Sequence, residues 1–289
     1  SNTTGGNNTA VGHYTLFANT IGANNTAVGN SAMSATTTGV ENVAVGSVAL
    51  SSNTTGSYNT AVGHGALQYT TSLANNAVGR IALNQNTSGG DNCAFGFSSG
   101  LFNTTGSYNC YFGRDTGAYN VGGSYNVAIG HQALLGVSGN SFSYNTAVGT
   151  YSLFANTTGI QNTAVGYNSL NANTTGSDNT AVGLAALKLN TIGTSNTAVG
   201  LQALLSNTTG TGNTAVGRDA LYYVTTGITN TAVGYSAGAT GTFNLTTGSN
   251  NTLIGFNAQP SSSTVSNTVT LGNSSIATLR CQVTSITAL

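Results

Sequence analysis

The sequence predicts an all-β parallel β-solenoid, a rod of about sixteen 17-residue coils, and three observations carry that expectation. A phrase close to NTAVG recurs from one end of the chain to the other. Turn-forming residues and a short apolar pair fill the space between copies. Charge is nearly absent: of 289 residues 3% are charged, against 39% hydrophobic, with 40 glycines and one proline. Typical soluble domains carry roughly 25% charged residues. Richness in Gly, Asn, Ser and Thr suits a disordered chain, but disorder needs no register, and here the apolar positions are strictly periodic.

The first element is the marker glycine that closes each phrase, from Gly12, Gly29 and Gly46 through to Gly255 and Gly272. Twelve of the fifteen intervals are 17 residues; the others are 16, 19 and 21. A solenoid tolerates such changes, because extra residues bulge from one coil while its neighbours still stack. At about 4.8 Å per coil, sixteen coils make a rod of roughly 75 Å.

The second element is an asparagine four residues before the glycine, present in fifteen of sixteen copies: Asn8, Asn25, Asn42, Asn59, Asn75, Asn92, Asn109, Asn126 and onward to Asn251, with Thr268 the exception. A carboxamide donates and accepts, so stacked copies can bond along a ladder and also to a local turn. The third is a TTG marker, as at Thr54–Gly56 and Thr208–Gly210, where glycine is expected to supply positive φ at a corner.

Two apolar stretches remain in each coil: TAV before the glycine, and an AL pair three and four residues after it. Each holds about three extended residues, too few for a helix, so two short strands per coil are expected. Phe95 and Phe112 replace the usual Val in two consecutive coils, and in those coils Gly100 and Gly117 replace the usual Leu. Close packing makes this read as volume compensation across a shared interior. Val and Leu columns are therefore expected inside, with the Ala column outside, where it would favour association with further copies.

The texture changes after Pro260, which divides a repeat shaft (1–259) from a C-terminal neck or tip (260–289) with larger apolar residues at Ile276, Leu279, Val283, Ile286 and Leu289. The NTAVG phrase resembles the left-handed parallel β-roll of trimeric autotransporter adhesin heads, over roughly residues 7–273. With the ending VTLGNSSIATLRCQVTSITAL, the chain is more similar to phage and large-virus tail-fibre or tailspike proteins, which a C-terminal intramolecular chaperone peptidase assembles before cutting itself away. In that family the cut falls just before a Ser-Asp pair beyond such a segment. The resemblance implies a homotrimeric rod, a mature C-terminus at Leu289, host attachment as part of a virion, and partners among tail proteins and host receptors or glycans. A cellular adhesin head and an ice-binding solenoid, presenting its Thr column to water, are the alternatives.

Five basic and five acidic side chains sum to zero net charge. No Lys or Arg cluster exists to neutralise phosphates, so no nucleic-acid partner is expected. No apolar run reaches the 18 or more residues of a membrane span. No carboxylate pair, zinc spacing or calcium-roll pattern suggests an enzyme or a cofactor. Cys93 and Cys110, stacked neighbours, read as small buried hydrophobes. The candidate receptor-facing column lies one residue past the marker glycine: His13, His64, Arg80, Arg114, His131, Tyr167, Arg218 and Tyr235.

Overall fold

A computed structural model describes residues 2–239 and 243–276. Sixteen three-residue strands, from β1 (Thr9–Val11) to β16 (Val269–Leu271), form one parallel sheet in which every strand pairs with the next in chain order. The chain is a parallel β-solenoid. Register is kept across every irregular interval. Thr60 pairs with Asn76 over the 16-residue step, Val127 with Thr146 over 19, and Thr231 with Thr252 over 21. The longest insertion leaves after Gly238 and is closed by Leu245, whose N–H donates to the Gly238 carbonyl at 3.0 Å. The sheet also continues past Pro260 into β16. Residues 277–289 of the expected neck lie outside the described residues.

The strands are short because both ends are fixed chemically. The ladder asparagine precedes each one, with Thr268 in its place before the last. The marker glycine ends it at φ between 119° and 141° in coils 1 to 15, outside the conformations that L side chains adopt with ease. A Cβ built on Gly29 would lie 2.6 Å from the Gly46 carbonyl oxygen, so the next coil forbids a side chain as well. The TTG glycines work differently from expectation. Gly39 and Gly56 are not at positive φ; a Cβ on Gly56 would fall 2.6 Å from the Asn53 Oδ1. Close approach, not backbone handedness, requires glycine there.

The second apolar stretch is not a strand. The second and fourth residues after the marker glycine are left-handed, as in Val48 (φ 53°) and Leu50 (φ 51°), and this alternation prevents extension. Main-chain pairing survives nonetheless: Leu50 N–H donates to Ala66 O at 3.1 Å, and Val48 N–H to Asn30 O at 2.9 Å in the preceding coil. A left-handed residue costs about 1–2 kcal/mol for most side chains, and stacking repeated along the rod holds the conformation in place. Asparagine tolerates this region far better than a β-branched residue. Val48→Asn is therefore expected to raise stability by about 1 kcal/mol, measurable as a later urea midpoint.

The interior reverses the expected faces. The strand alanines are buried, Ala27, Ala44 and Ala61 at 0% exposure, opposite an Ala-Leu pair such as Ala49 and Leu50. The strand valines face outward. A 17-residue coil is too thin for Val opposite Leu, so alanine takes the inside of the strand. Phe95 and Phe112 also lie outside, 38% and 37% exposed, with rings stacked at 4.9 Å.

The volume compensation belongs to another residue. Tyr111 occupies the alanine place in the seventh strand (Cys110–Phe112) and is fully buried. A Cβ on Gly100 would lie 2.9 Å from the Tyr111 Cδ2, and one on Gly117 2.6 Å from its Cζ. The ring fills the space that two leucines vacate, and its hydroxyl accepts from Asn120 Nδ2 at 3.0 Å. Burial raises the Tyr111 pKa well above the tyrosine range, and the Asn120 bond only partly offsets that.

The rest of the interior is polar and paired. Asn42 Nδ2 donates to Asn25 Oδ1 at 3.1 Å and to the Gly56 carbonyl at 2.9 Å, while Asn25 Oδ1 also accepts the Asn42 main-chain N–H at 3.0 Å. The pattern repeats at Asn59, Asn75, Asn92, Asn109 and Asn126. It starts at Asn8, whose Oδ1 takes the Asn25 N–H, and ends at Thr268, whose hydroxyl donates to Asn251 Oδ1 at 2.7 Å. A second buried asparagine column runs through Asn156, Asn173, Asn190 and Asn207, just before TTG or its TIG variant, with side chains linked at 2.8–3.1 Å. The NTTG spelling carried that signal.

Candidate functional site

With alanine, leucine and asparagine committed to the interior, chemistry is left to three outward columns. On the sheet's outer face, Thr and Val stand two apart on each strand and in register with the next coil. Val45, Val199, Val216 and Val233 are 37–40% exposed, and Ile129 and Ile254 continue the line. Isolated exposed valines are ordinary. A contiguous apolar column along a rod is a candidate contact surface. The Thr column beside it is interrupted by Val43, Asn76, Cys93, Cys110 and Val127. Cys93 and Cys110 are half-buried in this outer face rather than interior, and burial raises both thiols above the usual cysteine range.

The column one past the marker glycine is outward but does not form one continuous site. His13 sits edge-on against Tyr14 at 4.0 Å, at the first coil. His64 is exposed three coils away. Arg80 and Arg114 sandwich the Phe97 ring, with guanidinium carbons 5.4 and 5.5 Å from its centroid. His131, half-buried, meets Tyr151 at 5.5 Å, and Tyr151 meets Tyr167 at 6.2 Å. Arg218 lies over Tyr235 at 5.5 Å, and Tyr235 stacks on Phe256 at 5.5 Å. Cation–ring contacts of this kind contribute about 0.5–1 kcal/mol where exposed, so they order the side chains along the rod. The three histidines do not meet, and among the described residues no three His, Cys, Asp or Glu side chains are grouped to hold a metal ion.

A third column was missed in the sequence. The residue before each ladder asparagine is left-handed and, Ala74 apart, exposed, and in three successive coils it is Tyr108, Tyr125 and Tyr144, with rings stacked at 5.0 and 5.2 Å. The phrase SYN, repeated at 107–109, 124–126 and 143–145, was the available signal. No helix among the described residues is long and apolar enough to cross a membrane. No protein-family model matches the chain, and a search of curated proteins finds no match.

Proposed function

We propose that the chain is the shaft of an extracellular, self-associating fibre, a left-handed homotrimeric rod that serves host attachment on a virion and performs no catalysis itself. One observation carries the reading: the apolar Val, Ile and Phe column that runs along the outer face of the sheet. Covering this column between copies removes apolar surface from water at about 25 cal/mol per Å², and a rod that is nearly uncharged offers little electrostatic repulsion against it. Three chains is the number implied by the resemblance to trimeric adhesin heads. Partners at the ends would be other tail proteins and a host receptor.

An ice-binding face needs a flat, regular Thr array. The interrupted Thr column and the projecting Phe95 and Phe112 rings argue against it. A cellular adhesin head would share the rod and its association.

The test is the native mass by light scattering, with Val199→Asp/Val216→Asp as the variant. The expected result is three chains for the parent and a shift toward single chains for the variant, with the β-rich circular dichroism spectrum retained. A parent that stays a single chain at high micromolar concentration overturns the fibre reading.

A further inference from the structure

Two stretches share a pattern found nowhere else in the chain: RDTGAY (Arg114–Tyr119) and RDALYY (Arg218–Tyr223), which contain its only two Arg-Asp pairs. In both, the aspartate is the second residue after a marker glycine and is left-handed, at φ 55° and 56°. Each accepts from the Nε of its own arginine, at 3.2 and 3.1 Å. Each arginine is pinned in turn over a ring of a neighbouring coil, Phe97 or Tyr235.

Each aspartate lines a groove. The first, about 220 Å³, is formed with Ser98, Phe102, Tyr119 and Gln132. The second, about 260 Å³, is formed with Gln202, Tyr222, Tyr223 and Ser236. In both, a serine and a glutamine occupy the aspartate's own column in the two flanking coils, so a carboxylate stands between a hydroxyl and a carboxamide. In both, an aromatic pair adjoins: Phe102 and Tyr119 stacked at 5.3 Å, and Tyr222 edge-on to Tyr223 at 4.6 Å. Gln132 reaches Asp115 at 3.5 Å.

The second groove holds an unanswered acceptor. Asp219 Oδ2 is taken by Arg218, but its Oδ1 is buried and has no hydrogen-bond partner among the described residues. A buried acceptor left unpaired costs about 1–3 kcal/mol, and a donor that enters the groove as the side chains shift would answer it. The surroundings select the donor's chemistry. The arginine beside the carboxylate opposes a cation, the carboxylate opposes an anion, and a purely apolar molecule leaves Oδ1 unpaired. A neutral molecule with both hydroxyls and an apolar face satisfies all of these groups.

We propose that the two grooves are saccharide sites. A pyranose hydroxyl donates to the aspartate carboxylate, a second accepts from the glutamine Nε2, and the C–H face of the ring lies on the aromatic pair. The inference deepens the attachment reading and rests on it for its setting, since it names the class of receptor.

The test is saturation-transfer difference NMR on the full chain with methyl glycosides of glucose, galactose and N-acetylglucosamine, with light scattering on the same samples. Transfer is expected to the ring C–H protons of at least one glycoside. Asp115→Asn/Asp219→Asn is expected to weaken that binding at least tenfold, because asparagine keeps the shape and tolerates the left-handed backbone but replaces a carboxylate acceptor. Asp178→Asn, an exposed left-handed aspartate elsewhere in the rod, is the matched control and leaves binding unchanged. A Phe102→Ala/Tyr119→Ala/Tyr222→Ala/Tyr223→Ala variant that remains folded is expected to lose the transfer. Transfer from none of the three glycosides, or binding that the double asparagine variant leaves intact, overturns the proposal. Three chains without sugar binding sink this inference alone; a single chain that binds sinks the fibre reading alone.

Discussion

Tyr111→Ala is expected to lower stability by about 3–5 kcal/mol, the range for deleting a large aromatic side chain from a packed core. Alanine is the residue the other strands use at this place, so the loss comes from context rather than from the new residue. Gly100 and Gly117 stand where other coils have leucine, and without the ring no atoms fill that volume. The companion variant decides the matter. Tyr111→Ala/Gly100→Leu/Gly117→Leu is expected to recover most of the loss. The backbone is already suited: Gly100 and Gly117 sit at φ 62° and 56°, beside leucines at 48–52° elsewhere in the rod. The triple variant also frees Asn120 to meet Asn103, whose Oδ1 is now buried without a partner. Urea unfolding of the parent, single and triple variants measures the coupling. A triple variant no more stable than Tyr111→Ala would refute the compensation.

Asn162→Ala is expected to cost about 2–6 kcal/mol, from four buried hydrogen bonds lost at about 0.5–1.5 kcal/mol each. Asn162 Oδ1 accepts the main-chain N–H and the Nδ2 of Asn179, both at 3.1 Å, and its own Nδ2 donates to Asn145 at 3.2 Å and to the Gly176 carbonyl at 2.9 Å. Alanine removes all four bonds. Solenoids open coil by coil, so hydrogen exchange is the right readout. Protection is expected to fall first in the strands Thr163–Val165 and Thr180–Val182, before the distant coils respond. Asn162→Thr should cost about half as much, because Thr268 shows that a hydroxyl can donate to the ladder oxygen. A loss below about 1 kcal/mol for Asn162→Ala would mean the ladder adds little beyond the backbone pairing.

The period, the coil count and the asparagine ladder were legible because parallel in-register stacking places like residues on like residues. A column in space is then a recurrence in sequence. The inside and outside of the strand were not legible by the usual rule, in which the larger apolar residue is buried. In a coil this thin the Leu column takes the available volume, and Ala27 and its equivalents are what fits opposite. The Phe95–Gly100 and Phe112–Gly117 coincidence pointed to a true compensation but to the wrong rings, since Tyr111 lies between the two phenylalanines in sequence and inside the coil. The missing second strand has a similar cause. Val48, Ile81 and Leu50 have no intrinsic liking for the left-handed region, and only their stacked neighbours hold them there. The outward histidine and arginine column was visible as variation, but its division into separate groups depends on which rings happen to be neighbours. The grooves at Asp115 and Asp219 needed three coils at once, which no single repeat displays.

Most hydrogen bonds among the described residues run from coil to coil, along the axis of the rod. A pull applied to its two ends therefore loads those bonds in line, so every interface between coils bears the same force and the weakest gives way first. Each release hands over about seventeen residues, roughly 55–60 Å of slack. A single rod under tension thus behaves as a chain of successive fuses, lengthening in equal steps while the coils still stacked keep their shape.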